Sequence, residues 1–260
     1  MSQAPRSTED IAVTVASGVA RITLSRPPVN VLTTAMMRRL AAGLRQVAAD
    51  ETVRVIRLDA AGKAFCAGVD VGEHLGELLP VMMDALSDLF TAFDEVPQPI
   101  VAVVHGACLG GGLELVLGCD LVIAAENATF GQPEIKLGVF APPATVLLPR
   151  RIGFGAAAGM LLTGESVNAA EGRRLGIVND LFPVDGFDAH ASAWIDKLLA
   201  LSGAALRRAK RAIRESRDLP VGDAHRRVHD LYMNDLMATD DAHEGLRAFV
   251  EKRPPSWRHR

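Results

Sequence analysis

The stretch that most constrains this chain is an apolar segment that leads into three consecutive glycines and a carboxylate. Residues 100–104 are all apolar, as is typical of a strand buried inside a parallel sheet. Glycines follow at 110–112, and Glu114 stands in the first turn of the helix predicted next. Glycines at a helix start let a ligand approach bare N–H groups, where the helix dipole favours negative charge. Glu134 follows 20 residues later, beyond a predicted strand at 121–125. Two glutamates near such amides indicate proton transfer beside a developing oxyanion.

The composition excludes several classes of function. The 260 residues can bury a substantial core, either as one large domain or as one domain with a helical appendage. A net charge of −3 and an aromatic content of 5% argue against nucleic acid and acidic membranes as partners. Cys66, Cys108 and Cys119 form no close pair, so neither a disulfide scaffold nor a Cys-rich zinc site is expected. The chain begins without an apolar signal region and has no run of 18 apolar residues. We therefore expect a cytoplasmic protein.

The order of predicted elements indicates an α/β fold. Runs at 11–15 and 19–24 predict a β-hairpin, and Thr33 or Thr34 caps a helix that runs to about Ala49. Strands then alternate with helices, which is typical of right-handed crossovers in a parallel sheet. Beyond residue 187 the pattern becomes almost entirely helical, so we predict a core over 1–187 and a helical subdomain over 188–260. The helices predicted in this second part span 189–201, 203–217, 221–238 and 240–252.

A second glycine-containing loop supports the interpretation of the first. Residues 63–71 form a loop that follows a predicted strand at 53–58. Gly68 marks a sharp turn within this loop. Together with the glycines at 110–112, this loop would present a second backbone amide. A pair of amides directed at one oxygen makes an oxyanion hole, and the loss of one such donor costs about 3–4 kcal/mol of transition-state stabilisation. Either loop alone is also compatible with ordinary turn chemistry.

Several motifs in one order resemble the crotonase (enoyl-CoA hydratase/isomerase) superfamily. They are Arg26-Pro-Pro-Val-Asn-Val-Leu32, Ala64-Phe-Cys-Ala-Gly-Val-Asp70, His105-Gly-Ala-Cys-Leu-Gly-Gly-Gly-Leu-Glu114, Cys119-Asp-Leu-Val-Ile-Ala124 and Phe130-Gly-Gln-Pro-Glu-Ile-Lys-Leu-Gly138. Further similarity runs through residues 161–165 and 169–178 to Phe249-Val-Glu-Lys-Arg253. The resemblance therefore covers nearly the whole chain. It implies a spiral of ββα units with a C-terminal helical trimerisation region, assembled as a homotrimer or a dimer of trimers.

The resemblance also implies roles for individual residues. The amides of Val69 and Gly111 would hold the thioester oxygen of an acyl-CoA, and Glu114 and Glu134 match the two glutamates of the hydratases. The residues that would contact CoA are Pro28, Val29, Ala64, Ala67, Gly68, Asp70, Val71, Phe249 and Lys252. The acyl pocket would include His74, Gly110, Pro133, Val139, Phe140 and Pro142. Neither a metal nor a separate cofactor is implied, since CoA enters as part of the substrate.

These assignments lead to a mechanistic hypothesis for the two glutamates. In it, charged Glu114 orients and deprotonates water, and protonated Glu134 supplies a proton to the α-carbon of the thioester. Two carboxyl groups that share one site titrate as a coupled pair, so unequal protonation is expected. Structural alternatives exist for each residue: Glu114 as an acid that stabilises the helix dipole, and Glu134 as one half of a loop salt bridge.

One turn departs from the usual hydratase pattern. Where the family commonly has a glycine-rich turn after the second glutamate, this chain has Gly138-Val-Phe-Ala-Pro-Pro-Ala144, which is bulkier and stiffer. Together with Gly68-Val-Asp-Val-Gly-Glu-His74, this turn most resembles the cyclic dienoyl-CoA (cyclohexadienecarbonyl-CoA) hydratases. The alternative is a packing variant in a generic short-chain hydratase.

The leading hypothesis is thus reversible hydration of an unsaturated acyl-CoA. An enoyl-CoA isomerase on the same scaffold is the alternative within enzymes, and the presence of both glutamates favours hydration. A noncatalytic CoA- or RNA-binding scaffold is disfavoured by the same glutamates and by the negative charge. Two other patterns carry less weight: Gly153-Phe-Gly lacks a strand before it, and the pair His225 and His229 lacks a third metal ligand.

Overall fold

A twisted sheet of six strands forms the framework of the molecule. The computed structural model describes residues 10–260. The strands, in chain order, are β1 (Ile11–Ala16), β2 (Val19–Leu24), β3 (Val55–Ala60), β4 (Ile100–Val104), β5 (Ala107–Leu109), β6 (Leu121–Ala125), β7 (Thr129–Gly131), β8 (Ser166–Asn168) and β9 (Asp180–Phe182). The large sheet has the order β1-β2-β3-β4-β6-β9, and β5, β7 and β8 form a second, three-stranded sheet. In the large sheet only β1 and β2 pair antiparallel, so the α/β class is confirmed.

Helices cover the sheet and extend beyond it. They are α1 (Thr34–Ala48), α2 (Leu78–Glu95), α3 (Gly111–Gly118), α4 (Pro142–Ile152), α5 (Phe154–Thr163), α6 (Ala169–Leu175), α7 (Phe187–Leu199), α8 (Gly203–Ser216), α9 (Val221–Leu231) and α10 (Asp240–Val250). Two 3₁₀ helices, Val71–His74 and Pro133–Leu137, and a π-helical turn, Tyr232–Leu236, complete the structure. Among the described residues, no helix is long and apolar enough to cross a lipid bilayer.

The hairpin and the first helix form as the sequence predicts. The Thr33 hydroxyl accepts a hydrogen bond from Met36 N at 3.2 Å, which caps α1 and fixes its first residue. The apolar face of α1, including Leu40 and Leu44, is fully buried. The following strand begins two residues later than predicted, at Val55, because Val53 N donates to Asp50 O and closes a turn before it.

The two faces of the large sheet are buried by different helices. On one face the main core joins the sheet to α1, α2, α3 and α4. On the other face, Phe187, Ala191 and Ile195 of α7 pack against a smaller cluster that includes Val55 and Val101. Since α7 covers the sheet directly, it belongs to the packing of the core. The division of the chain at residue 187 stays a prediction.

The C-terminal helical region has the predicted helices, with one difference in the middle. The helix predicted over 221–238 ends as α9 at Leu231 and continues as the π-helical turn. Arg208 Nε on α8 donates both to the Asp235 carbonyl oxygen, at 3.1 Å, and to its carboxylate, at 2.8 Å. This contact between helices holds the wider turn in place, which helical periodicity alone does not predict.

Candidate active site

The three consecutive glycines are each required by a different neighbour. A Cβ atom on Gly110 would lie 2.5 Å from Glu134 Oε1, and one on Gly112 would lie 2.4 Å from the carbonyl oxygen of Cys66. A Cβ on Gly111 would meet the Val69 side chain at 2.7 Å. Gly110 also has φ of 53° and ψ of −125°, a conformation that side chains disfavour. The glycines therefore let the loop of residues 66–69, the start of α3 and Glu134 approach one another.

The loop at 66–69 leaves one amide unused and directs it toward α3. Leu32 N donates to Gly68 O and Asp70 N donates to Leu32 O, both at 2.8 Å, so the residues that flank Val69 form a bridge to residue 32. In such a parallel bridge the N–H of Val69 points the other way. Within residues 10–260, neither Val69 N nor Gly111 N donates to a protein acceptor. A Cβ atom on Gly111 would lie 3.2 Å from Val69 N, so the two unused donors are neighbours.

Backbone hydrogen bonds tie the first two motifs to this site. Ala67 N donates to Val29 O at 3.0 Å, which joins two of the predicted CoA-binding segments. The buried side chain of Asn30 donates to the carbonyl oxygens of Ala61 and Ala64, each at 2.9 Å. Asn30 was not predicted as a site residue, although it lies within the first motif. It fixes the spacing between the segments that carry Val29 and Ala64.

Glu114 lies in the first turn of α3 and is buried, with 3% of its surface exposed. Its Oε1 accepts a hydrogen bond from the backbone N–H of Ala144, the third residue of α4, at 3.1 Å. Burial raises the pKa of Glu114 to about 8; the Ala144 hydrogen bond opposes this rise, and the negative charge of Glu134 adds to it. Because the charge of Glu134 acts on Glu114, the two carboxyl groups lie near each other.

Glu134 lies on the 3₁₀ helix of residues 133–137 and is half-buried. With its side-chain amide in the orientation that satisfies both groups, Gln132 donates to Oε1 and Oε2 of Glu134 at 3.1 and 2.9 Å. Burial raises the pKa of Glu134, whereas its own backbone N–H and the nearby His74 lower it. Gln132 was part of a predicted motif but was assigned no role, because the contact depends on the turn at Pro133.

The surroundings of the two acids bear on the mechanistic hypothesis, which stays a prediction. Glu114 is the more deeply buried acid, and two N–H bonds from Gln132 favour the charged form of Glu134. Of the two acids, Glu114 is therefore the one whose neutral form its surroundings favour more strongly. The difference follows from location, since Glu114 projects from a helix inside the core and Glu134 from a short helix at the surface.

The predicted acyl pocket is more open than the predicted oxyanion hole. Val139 and Phe140 are 45% and 66% exposed, and they follow the exposed Leu137. His74 borders this region from the other side, where its Nδ1 lies 3.0 Å from Asp70 O. Pro142 is partly exposed at the first position of α4, whereas Ala144 is fully buried. Exposed apolar side chains therefore lie beside the buried Glu114 and the half-buried Glu134.

The remaining predicted CoA-binding residues fall into two groups. The first group lies in the two motifs that backbone hydrogen bonds join, around residues 28–30 and 64–71. Its members are Pro28, Val29, Ala64, Ala67, Gly68, Asp70 and Val71. The second group lies at the end of α10, where Phe249 is 85% exposed and Lys252 has a positive φ of 54°. No hydrogen bond or ion pair described for residues 10–260 joins this second group to the first. Their role at a CoA site stays a prediction.

Two cavities of about 550 and 510 Å³ lie elsewhere, under α8. Their walls carry ion pairs, including Lys210 with Asp120 at 2.6 Å, and neither is lined by Glu114 or Glu134. We place the site at the two acids and the unused amides, where the chemistry converges. Within the described part of the chain, no three His, Cys, Asp or Glu side chains are grouped so that they could hold a metal ion.

The chain is similar to known proteins over nearly its whole length. Residues 14–260 match the family model described as enoyl-CoA hydratase/isomerase. The chain is 39% identical over 241 residues to cyclohexa-1,5-dienecarbonyl-CoA hydratase of Thauera aromatica, covering 92% of this chain and 93% of the relative. It is 36% identical over 246 residues to 2,3-dehydroadipyl-CoA hydratase of Escherichia coli, covering 93% and 96% of the two chains.

A solved structure of an enoyl-CoA hydratase from Bacillus anthracis has the same fold. It superposes with a TM-score of 0.89 at 33% identity, covering 97% of this chain and all of that one. The predicted crotonase-like fold is thereby confirmed, and one relative bears the name of the subgroup that the sequence resembles. The match over residues 14–260 and these two relatives show that the chain belongs to the enoyl-CoA hydratase/isomerase family, the crotonase superfamily.

Proposed function

We propose that this protein adds water reversibly to the α,β double bond of an acyl-CoA thioester. The observation that carries the proposal is the placement of two carboxyl groups, Glu114 and Glu134, beside two unused amides, those of Val69 and Gly111. An isomerase needs one group that moves a proton between carbons. Hydration needs two, one for water and one for the α-carbon, and the site provides both.

The proposed reaction conserves electrons and adds one water. The oxygen of water forms a bond to the β-carbon while one of its protons passes to Glu114. The π electrons of the double bond move to the thioester oxygen, which becomes an enolate stabilised by the amides of Val69 and Gly111. The enolate then restores its carbonyl group, and the α-carbon takes the proton of Glu134. Each amide would contribute about 3–4 kcal/mol to stabilisation of the enolate-like transition state.

The protonation state of the pair determines which direction a given form of the enzyme can catalyse. A proton on Glu114 with Glu134 ionised is the arrangement that follows hydration and precedes dehydration. Hydration begins from the reverse arrangement, so the shared proton must return to Glu134 before each new turnover. Both directions need one proton on the pair of acids. A plot of kcat/KM against pH should therefore be bell-shaped. Its descending limb should lie near pH 8, where the pair loses its last proton, since Glu114 has a pKa of about 8 in the free site.

We further propose a flat, apolar and cyclic acyl group as the substrate class. The exposed apolar side chains of Leu137, Val139 and Phe140 stand at the entrance, and Pro142 and Pro143 stiffen the turn behind them. The name of the Thauera aromatica relative specifies a cyclic dienoyl-CoA, and that of the Escherichia coli relative an open-chain acyl group. A rigid ring gains more from a preformed apolar entrance than a flexible chain does.

A panel of thioesters tests both parts of the proposal. The purified protein is incubated with cyclohexa-1,5-dienecarbonyl-CoA, crotonyl-CoA and 2,3-dehydroadipyl-CoA, and the products are followed by mass and by thioester absorbance. A mass gain of one water, fastest for the cyclic substrate, is the expected result. An unchanged mass with a shifted spectrum would assign an isomerase instead. No turnover of any thioester would contradict the proposal, and faster hydration of crotonyl-CoA would contradict the cyclic preference alone.

We also propose a homotrimer, or a dimer of trimers, built through the C-terminal helices. Large apolar side chains stay exposed on α9, α10 and the turn between them; they are Val221, Met233, Leu246, Phe249 and Val250. Such a surface is typical of a contact between subunits. In this assembly Phe249 and Lys252 would reach the CoA of a neighbouring subunit. Sedimentation equilibrium tests the assembly, and a monomeric protein with full activity would contradict it.

A further inference from the structure

Of the first three helical positions of α4, only one carries a backbone N–H. A helix start normally presents up to four N–H groups without intrahelical partners. In α4 the first two positions are Pro142 and Pro143, which have no N–H, and Thr145 N already donates to Ala141 O at 2.9 Å. Among helical positions 142–145, Ala144 N is therefore the donor left without a partner in the helix, and it is directed at Glu114.

Glu114 receives no other hydrogen bond to its carboxyl group from the described residues. Ala144 N reaches Oε1 at 3.1 Å, and Oε2 accepts none from any side chain or amide within residues 10–260. The orientation of the carboxyl plane therefore depends on the start of a helix that lies 30 positions further along the chain. With Oε1 held, Oε2 is the oxygen left to exchange a proton.

The donor itself is rigidly held. Ala144 is fully buried, and Ala141 and Leu148 on the same helix are buried as well, so the amide is anchored in the core. The pyrrolidine rings of Pro142 and Pro143 fix φ at the first two positions. The positive end of the helix dipole points at the same carboxyl group. The turn that departs from the family pattern thus contributes to the acid–base site as well as to the acyl pocket.

We propose that the backbone N–H of Ala144 is the positioning group of Glu114, and that it holds Oε1 so that Oε2 alone exchanges a proton with the substrate water. The inference rests on the proposed function, because it gives Glu114 the proton from water. The two prolines matter because they remove the donors that would otherwise compete for, or doubly bind, the carboxyl group. The Ala144 bond also stabilises the ionised form of Glu114, which hydration requires and which burial opposes.

The test replaces one backbone N–H group with an oxygen atom. Lactic acid is incorporated in place of Ala144, so that an ester oxygen replaces the N–H while the methyl group stays. As a matched control, 2-hydroxyisovaleric acid is incorporated in place of Val146, which breaks an interior bond of the same helix away from Glu114. The variant Ala144→Gly keeps the N–H and serves as the conservative change. Thermal melts confirm that all three are folded.

The ester at 144 should lower kcat about tenfold with little change in KM, and move the descending limb of the pH profile up by about one pH unit. The sign follows because losing an N–H bond to a carboxylate disfavours the ionised form, so the pair keeps its last proton to higher pH. The ester at 146 and Ala144→Gly should leave the limb where it is in the unmodified protein. The proposal is overturned if the descending limb of the pH profile lies at the same pH for the esters at 144 and 146.

A second readout separates this inference from the proposed function. Carbon-13 labelling of glutamate carboxyl groups, assigned with Glu114→Gln, reports the Glu114 titration directly and needs no turnover. If no thioester is hydrated but the ester at 144 still raises this titration, the positioning holds and the proposed function fails. If hydration is normal and the Glu114 titration does not move, the positioning is wrong and the proposed function stands.

Discussion

The two sides of this site are built differently. On the oxyanion side, the loop of residues 66–69 and the start of α3 approach so closely that three glycines are needed, and Glu114 is buried among them. On the acyl side, Phe140 and its neighbours stand exposed around the half-buried Glu134. The difference shows how each side is held: the groups proposed to stabilise charge are fixed by core packing, whereas the side chains proposed to contact the acyl chain are exposed and free to vary.

The largest effect should come from removing either acid. Glu114→Gln and Glu134→Gln keep the shape of each side chain and remove its proton transfer, so each should lower kcat by about 10²–10⁴. Steady-state rates with the best thioester of the panel measure this. Glu126→Gln, a change at an exposed position, is the control. Near-normal hydration by either catalytic variant would remove that residue from the mechanism.

A pair of glycine substitutions compares the two sides directly. Gly110→Ala would place a methyl group 2.5 Å from Glu134 Oε1 and should lower kcat by about 10²-fold by displacing that acid. Gly138→Ala also has a positive φ, of 79°, but no atom lies within 4 Å of its Cβ position. It should cost about 1 kcal/mol of stability and leave kcat within about twofold. Equal losses of kcat in the two variants would contradict the distinction between the sides.

A smaller effect is expected from the acyl entrance. Phe140→Ala should reduce the kcat/KM ratio of the cyclic to the open-chain thioester by about tenfold, because the ring loses one apolar wall. Its exposure of 66% predicts little change in melting temperature. Phe154→Ala, 80% exposed on α5, is the matched control. A Phe140→Ala enzyme with an unchanged substrate ratio would place acyl selection elsewhere.

The last prediction concerns how the stability of the protein depends on pH. The folded-state pKa of Glu114, about 8, lies above its unfolded value, so folding favours the proton and stability from this group is lost as pH rises toward 8. The wild-type free energy of unfolding should therefore fall by up to about 1.4 kcal/mol per pH unit between about pH 5 and 8. Denaturant titrations of wild type and Glu114→Gln compare the slopes. Identical slopes would show that Glu114 is not the buried acid that titrates there.

Much of the oxyanion side could be predicted from the sequence. The apolar strand β4, the glycines and Glu114 in the first helical turn lie where local patterns placed them, because burial and helix periodicity act over a few residues. Val69 and Gly111 were assigned by resemblance, and their amides lie together and unused. The sequence also indicated that the turn at 138–144 departs from the family pattern.

What could not be predicted depends on contacts between distant backbone groups. No side-chain pattern indicates that Ala144 N meets Glu114, since any residue except proline carries that donor. Gln132 was visible in its motif, but its contact with Glu134 depends on the turn that Pro133 imposes. The raised pKa of Glu114 follows from burial, which becomes known only when the packing of α3 and α4 is known.

The proline-started helix has a practical consequence for redesign. Its core-facing residue, Ala144, contacts the acid, and the exposed Phe140 stands four positions earlier at the entrance. A library of variants at positions 137, 139 and 140 alone would therefore test new acyl groups. The unchanged prolines would keep the N–H of Ala144 positioned on Glu114. A library that also varies 142 and 143 would mix changes in substrate range with losses of rate, and its hits would be harder to interpret.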